Sequence, residues 1–156
     1  MPGLRDPMDL LDELIRVTAA FHDEGVPYAL CGGLAVAVHG APRATTDLDL
    51  LVPADAVARA LEVAKDAGFR FAARPMKFPD GMHIHRVTRI DGEVAVTLDL
   101  IVVGPDLEDI FDGREALELR GRELWVLDRD GLIRMKVAAG RPQDLADIAR
   151  LTDQDR

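Results

Sequence analysis

The stretch LCGGLAVAVHGAPRATTDLDLLV, residues 30–52, decides how the rest of the chain is read. It opens at the end of a short apolar strand, YALC at 28–31, and passes through Gly32-Gly33 into LAVAVHG, a helix closed by Gly40. DLDLLV at 47–52 then alternates acid and leucine with the period of a strand. Asp47 and Asp49 therefore share one face and Leu48 and Leu50 the other. Carboxylates on alternate strand residues have Cα atoms about 6.5–7 Å apart on the same side, so both reach one metal or a close metal pair. Hard oxygen ligands of this kind select Mg2+ or Mn2+.

Aspartate is a poor strand former, so two of them inside an apolar segment oppose local preference, a conflict that often marks a functional site. Upstream, the Gly32-Gly33 turn lets the backbone approach a ligand closely, and the helix after it offers N–H groups to an anion. Downstream, Asp99 lies within VAVTLDLIVV (94–103), between Leu98 and Leu100, where an uncompensated charge would be costly. A cation is a natural partner for it.

Outward from this centre, Asp6 N-caps a helix over 7–24, which Gly25-Val26-Pro27 ends. Pro53 and Asp55 open a second helix running to about Gly68. A strand at 69–73, a loop through Pro75 and Pro79, a strand near 82–90, a hairpin turn at Asp91-Gly92 and a long strand at 93–103 follow. The remainder reads as a helix from about Asp106 to Arg120, a short strand LWVL (124–127), and one or two helices from Gly131 to Leu151 broken at Gly140-Arg141-Pro142. Hairpin-linked strands beside strand-helix-strand units predict an α+β (α/β-like) fold, a mixed sheet with helices packed against it. The 156 residues are expected to form one domain, with a core at about 28–103 and a helical portion at about 106–151.

Hydrophobic residues make up 48% of the chain, enough to offset the entropy lost on folding, whereas aromatics are only 4%, leaving few platforms for stacking bases. With 28 acidic against 19 basic residues the net charge is −9, which disfavours a general DNA- or RNA-coating role. A single cysteine, Cys31, excludes an intramolecular disulfide and suits a reducing cytoplasm. No run reaches the roughly 18 apolar residues of a membrane span, and MPGLRDPMDL does not read as a secretory signal, so a cytoplasmic protein away from membranes is expected.

His83 and His85 alternate on one strand and form the strongest competing metal proposal, a histidine-metal phosphohydrolase, though no third ligand is evident. His39 beside Gly40 caps a helix end or faces the site. Cys31 reads as a buried small residue, and Trp125 as core.

Gly-Gly at a strand-helix turn, Asp-x-Asp on the next strand and a solitary aspartate in TLDLIV (97–102) together resemble the nucleotidyltransferase superfamily typified by DNA polymerase β. HGAPRATTDLDL (39–50) with LIRMKVAAGRPQDLADIARL (132–151) is similar to small bacterial nucleotidyltransferases related to the AbiEii toxin component. The resemblance implies a nucleotidyltransferase fold in which Gly32 and Gly33 contact the triphosphate, Asp47, Asp49 and Asp99 bind metal, and Asp99 helps to deprotonate the acceptor. It further implies that Lys136 is directed at the phosphates and that Arg43 and Thr46 line the approach to the acids. Asp144 and Asp147 fall in the matching C-terminal motif, with a helix-start or surface salt-bridge role as the alternative. The implied activity is transfer of a nucleoside monophosphate from a triphosphate to RNA or protein in a toxin-like role. The alternatives are a small-molecule, antibiotic-modifying transferase and a non-catalytic nucleotide-binding module. A homodimer or a cognate antitoxin is an expected partner.

Overall fold

Leu48 and Leu50 are fully excluded from solvent, whereas Asp47 and Asp49, between and beside them, are only partly covered, as strand alternation requires. This strand, β2 (Asp47–Pro53), is central to the computed structural model, which describes residues 7–40 and 45–153. Around it stand α1 (Pro7–Asp23), β1 (Ala29–Cys31), α2 (Gly32–Val38), α3 (Val57–Asp66), β3 (Phe71–Ala72), β4 (Met76–Lys77), β5 (His83–Asp91) and β6 (Val94–Val103). The chain continues through α4 (Glu108–Asp112), β7 (Glu115–Leu119), β8 (Arg122–Val126), α5 (Arg129–Ala139) and α6 (Pro142–Asp153).

The strands form one mixed sheet in the order β3-β5-β6-β2-β1-β8-β7, with β4 also paired to β5. β2 runs parallel to β6 and β1 parallel to β8, while the remaining neighbours are antiparallel. An α+β fold with helices on a mixed sheet is thus what the chain adopts. Leu98 and Leu100 of β6 face the same way as Leu48 and Leu50 and are equally buried, so the two central strands give one face to the core. Fully burying each such side chain contributes about 1.5–3 kcal/mol. α1 covers that face; its buried Glu13 accepts two hydrogen bonds from Arg89 of β5, at 2.8 and 2.9 Å. α5 and α6 pack on each other and on α2, and wall the opposite, carboxylate-bearing face.

Three expectations need correction. The helix expected over Asp106–Arg120 stops at Asp112, and residues 115–126 form the β7–β8 hairpin instead. Arg120 and Gly121 both have positive φ, 52° and 78°, the signature of a two-residue hairpin turn whose twist suits the strands. Gly113 ends the short helix, and cross-strand pairing then overrides the helix propensity of Glu115, Ala116 and Leu117. The first hairpin turn lies at Gly92-Glu93, one residue later than expected, because Asp91 pairs with Val94. Trp125 is half-buried at the edge of the core, its ring faced by the Arg114 guanidinium at 5.0 Å. Gly140 closes α5 with φ 65°, so the break before Pro142 falls where expected. The Asp6 cap lies outside the described residues. Among the described residues no helix is long and apolar enough to cross a membrane.

Candidate functional site

Register determines which side chains meet. Asp49 on β2 lies opposite Asp99 on β6, and Asp47 lies opposite Thr97. Asp99 in turn lies opposite Arg86 on β5, and Asp49 opposite Cys31 on β1. Arg86, Asp99, Asp49 and Cys31 therefore form one row across four adjacent strands, with Asp47 one pleat along. The three aspartates line a single cleft of about 660 Å³ together with Gly32, Gly33 and Thr46. One wall comes from α5 and the start of α6; the other comes from β4 and the segment up to β5, with Met76, Phe78 and Met82.

Gly32 is required where it stands. Its φ is +71°, and a β-carbon there would lie 2.2 Å from Oδ2 of Asp49, so any other residue must push that carboxylate aside. The turn thus brings the backbone against the acid pair.

Burial, followed by the negative charges of Asp99 and Asp47, pushes the Asp49 carboxyl up to about 7, with Lys136 and Arg86 offsetting part of the rise. The group is held in an environment that a cation would relieve. In the folded, metal-free protein Asp49 keeps its proton above the unfolded value of 3.8, so stability falls as pH rises from about 4 to about 7 and the loss is complete above that. Asp49→Asn is therefore expected to stabilise the metal-free protein by roughly 1–2 kcal/mol at pH 8, and by nothing near pH 4. Thermal melts in EDTA at both pH values check this, and an equal gap at the two would refute it.

Two carboxylates of β2 pointing into the cleft, with hard oxygens and an excess of negative charge, fit a divalent ion such as Mg2+ or Mn2+. Among the described residues, however, no group of three or more His, Cys, Asp and Glu side chains is arranged as a ready metal cage. Both oxygens of Asp99 are engaged by Arg86, whose Nε and Nη2 donate at 2.8 and 3.0 Å. This pair was not legible in the sequence, since only the β5–β6 register creates it.

Lys136 reaches the cleft but is buried, and its Nζ donates to Oδ2 of Asp147 at 2.9 Å with Asp144 3.8 Å away. Asp144 accepts from the backbone N–H of Arg141 at 3.2 Å and from its guanidinium at 2.7 and 3.2 Å, binding the start of α6 as a helix-capping acid does. Burial opposes ionisation of Asp144, but the Arg141 hydrogen bonds outweigh it and hold the carboxyl below its ordinary value. Both aspartates are buried, so the Lys136–Asp147 bridge is interior, whereas the Arg141 side chain that pairs with Asp144 is exposed.

Thr46 donates to Asp47 at 3.3 Å at the cleft mouth; Arg43 lies outside the described residues. His39 Nε2 pairs with the Leu127 carbonyl at 2.8 Å, a structural contact. Cys31 is buried, and burial followed by the charge of Asp49 raises its thiol well above the ordinary range, which argues against a nucleophile. His83 and His85 stack at 4.8 Å on the sheet face opposite Ile84 and Arg86, away from the cleft. A smaller cavity of about 350 Å³, beside Tyr28, Arg114 and Trp125, holds none of the acids.

Residues 5–155 match the model of a family described as "Uncharacterised nucleotidyltransferase". Among solved structures the chain superposes on a candidate nucleotidyltransferase from Thermotoga maritima with TM-score 0.66 at 15% identity, covering 96% of each chain. It also superposes on ANT(2″)-Ia in complex with adenylyl-2″-tobramycin, with TM-score 0.62 at 14% identity, covering 94% of this chain and 90% of that one. A third likeness is to the lincomycin-bound lincosamide antibiotic adenylyltransferase LnuA, with TM-score 0.63 at 14% identity, covering 90% and 95%. At such identities the likeness establishes the fold. No curated protein matches the chain.

Proposed function

Because the chain belongs to the nucleotidyltransferase family whose model spans residues 5–155, we propose that it moves a nucleoside monophosphate from a triphosphate to a hydroxyl of a small acceptor molecule. The observation that carries this reading is the opening of Asp47, Asp49 and Asp99, from two adjacent strands, into one cleft beside Gly32-Gly33. In the reaction the acceptor oxygen bonds to the α-phosphorus, the bond from that phosphorus to the bridging oxygen breaks, and pyrophosphate departs while the acceptor loses its proton. A Mg2+ or Mn2+ ion held by Asp47 and Asp49 would neutralise the charge on the phosphate oxygens and on the leaving group. The chain's own part is positioning. Gly32 and Gly33 allow close approach of the triphosphate, Thr46 donates to the Asp47 carboxylate at the entrance, and Asp99 stands beside Asp49 on the β5 side of the cleft. Arg43 and Lys136 are proposed phosphate contacts, Lys136 only if it turns from Asp147.

The cleft favours a small acceptor over RNA. Its described lining carries five acids against three bases, and all three bases, Arg86, Lys136 and Arg141, are already ion-paired. A polyanion would find no unpaired cation among them, whereas a neutral or cationic hydroxylated compound would meet Met76, Phe78, Met82 and Met135 on apolar walls. Antibiotic complexes among the superposed structures support the same class. The toxin-like reading, with RNA or protein as acceptor, is the second choice and rests on the AbiEii-like motifs.

Incubating the purified protein with each α-labelled triphosphate, Mg2+ and a whole-cell extract tests the proposal. Label is expected in small molecules. Label in RNA or protein would favour the toxin-like reading, and no transfer by a folded protein would leave a nucleotide-binding module.

A further inference from the structure

The third acid is not free to act as the third ligand of a shared metal centre. Asp99 is buried, its side chain 8% exposed, and the bidentate pair with Arg86 engages both of its oxygens. Such fork-to-fork pairs are among the strongest in proteins, because two charge-assisted bonds share one fixed geometry. Arg86 has its backbone fixed by the long β5–β6 pairing, and its side chain is 44% exposed on the cleft side. The guanidinium is thus a built-in positive group on the row that Asp49 and Asp99 share. Charge arithmetic points the same way. Three carboxylates and one guanidinium leave two negative charges, which one divalent ion neutralises; a second ion would leave the empty cleft positive.

We propose that Arg86 stands in for one cation: it fixes Asp99 as a positioning residue, and Asp47 and Asp49 hold a single divalent ion in the nucleotide-free protein. This rests on the transferase reading, and it changes the role of Asp99 within it. Both Asp99 oxygens accept from Arg86, so neither faces an acceptor hydroxyl until Arg86 has released it. Arg86 then governs access to the third acid, and a substrate that draws the guanidinium towards its phosphates frees Asp99 at the moment of transfer.

The experiment counts Mn2+ bound to the full chain by the loss of the free-ion electron paramagnetic resonance signal, with thermal melts recorded alongside. Wild type is expected to bind one ion. Arg86→Met, which keeps a long apolar stem but frees Asp99, is expected to bind two. The double variant Arg86→Met/Asp99→Asn, which removes the pair without changing net charge, is expected to bind one, with an affinity within about threefold of wild type. Two ions on wild type, or none on the double variant, would overturn the inference while leaving the transferase reading in place. One ion on Arg86→Met, with only a lowered melting temperature, would reduce Arg86 to a structural partner and also overturn it. Should Arg86→Met fail to fold, Arg86→Gln, which keeps a hydrogen-bond donor but not the charge, takes its place with the same expected count of two. An ion count unchanged by Asp47→Ala and Asp49→Ala, or no ion on wild type, would overturn the transferase reading as well.

Discussion

Asp47→Ala and Asp49→Ala are each expected to abolish the proposed metal-dependent nucleotide transfer while the protein stays folded. The two carboxylates extend from β2 into the cleft on the face opposite the buried leucines, so truncating them removes no core contact. Asp49 lies between like charges, and its loss relieves repulsion in the metal-free fold rather than creating a cavity. Activity has the opposite dependence. Without either acid the proposed ion loses half its protein ligands, and charge developing on the phosphates goes unopposed, a loss of at least about 1,000-fold, or about 4 kcal/mol of transition-state stabilisation. Label transfer from α-labelled triphosphate, paired with circular dichroism and melting curves, checks both halves. Retained transfer in a well-folded double variant would contradict the assignment.

Those two residues were also the most legible part of the chain. Alternation in DLDLLV determines the strand and which face carries the acids, because a one-residue slip would bury Asp47 and Asp49 and expose Leu48 and Leu50. The apolar neighbours of Asp99 place it on a buried strand in the same way, and the shared cleft follows once β2 and β6 are neighbours. Cross-strand register was not legible. The hairpin joining β5 to β6 was, but a turn at Asp91-Gly92 would set Arg86 opposite Thr97, and only the actual turn at Gly92-Glu93 sets it opposite Asp99. The stretch EALELRGRELWV fails for a different reason. Its alanine, leucines and glutamates are good helix formers, and only Gly121 with Arg120 in a two-residue turn, plus pairing to β1, turns it into a hairpin. Asp144 and Asp147 resisted assignment because acids at a helix start are ordinary on a surface, and their burial depends on how α6 folds back on α5.

Lys136→Met is expected to destabilise the protein by about 3–5 kcal/mol, the usual cost of removing one partner from a buried ion pair. Lys136 and Asp147 are both shut off from solvent, and the 2.9 Å bond between them joins α5 to α6. Without the lysine the Asp147 charge stays buried in a low-dielectric interior, whereas Asp144 keeps its bonds to Arg141. A methionine of similar length fills the space, so the loss reports charge rather than a cavity. Chemical denaturation measures it, and the double variant Lys136→Met/Asp147→Leu should recover most of the stability because the buried carboxylate goes together with the lysine that it accepts from. The same pair of variants separates the two roles open to this lysine. If Lys136 serves only to hold α5 on α6, the double variant regains both stability and the wild-type KM for triphosphate. If it turns to the phosphates during turnover, stability returns but KM stays raised, because no substitute cation replaces it beside Asp49.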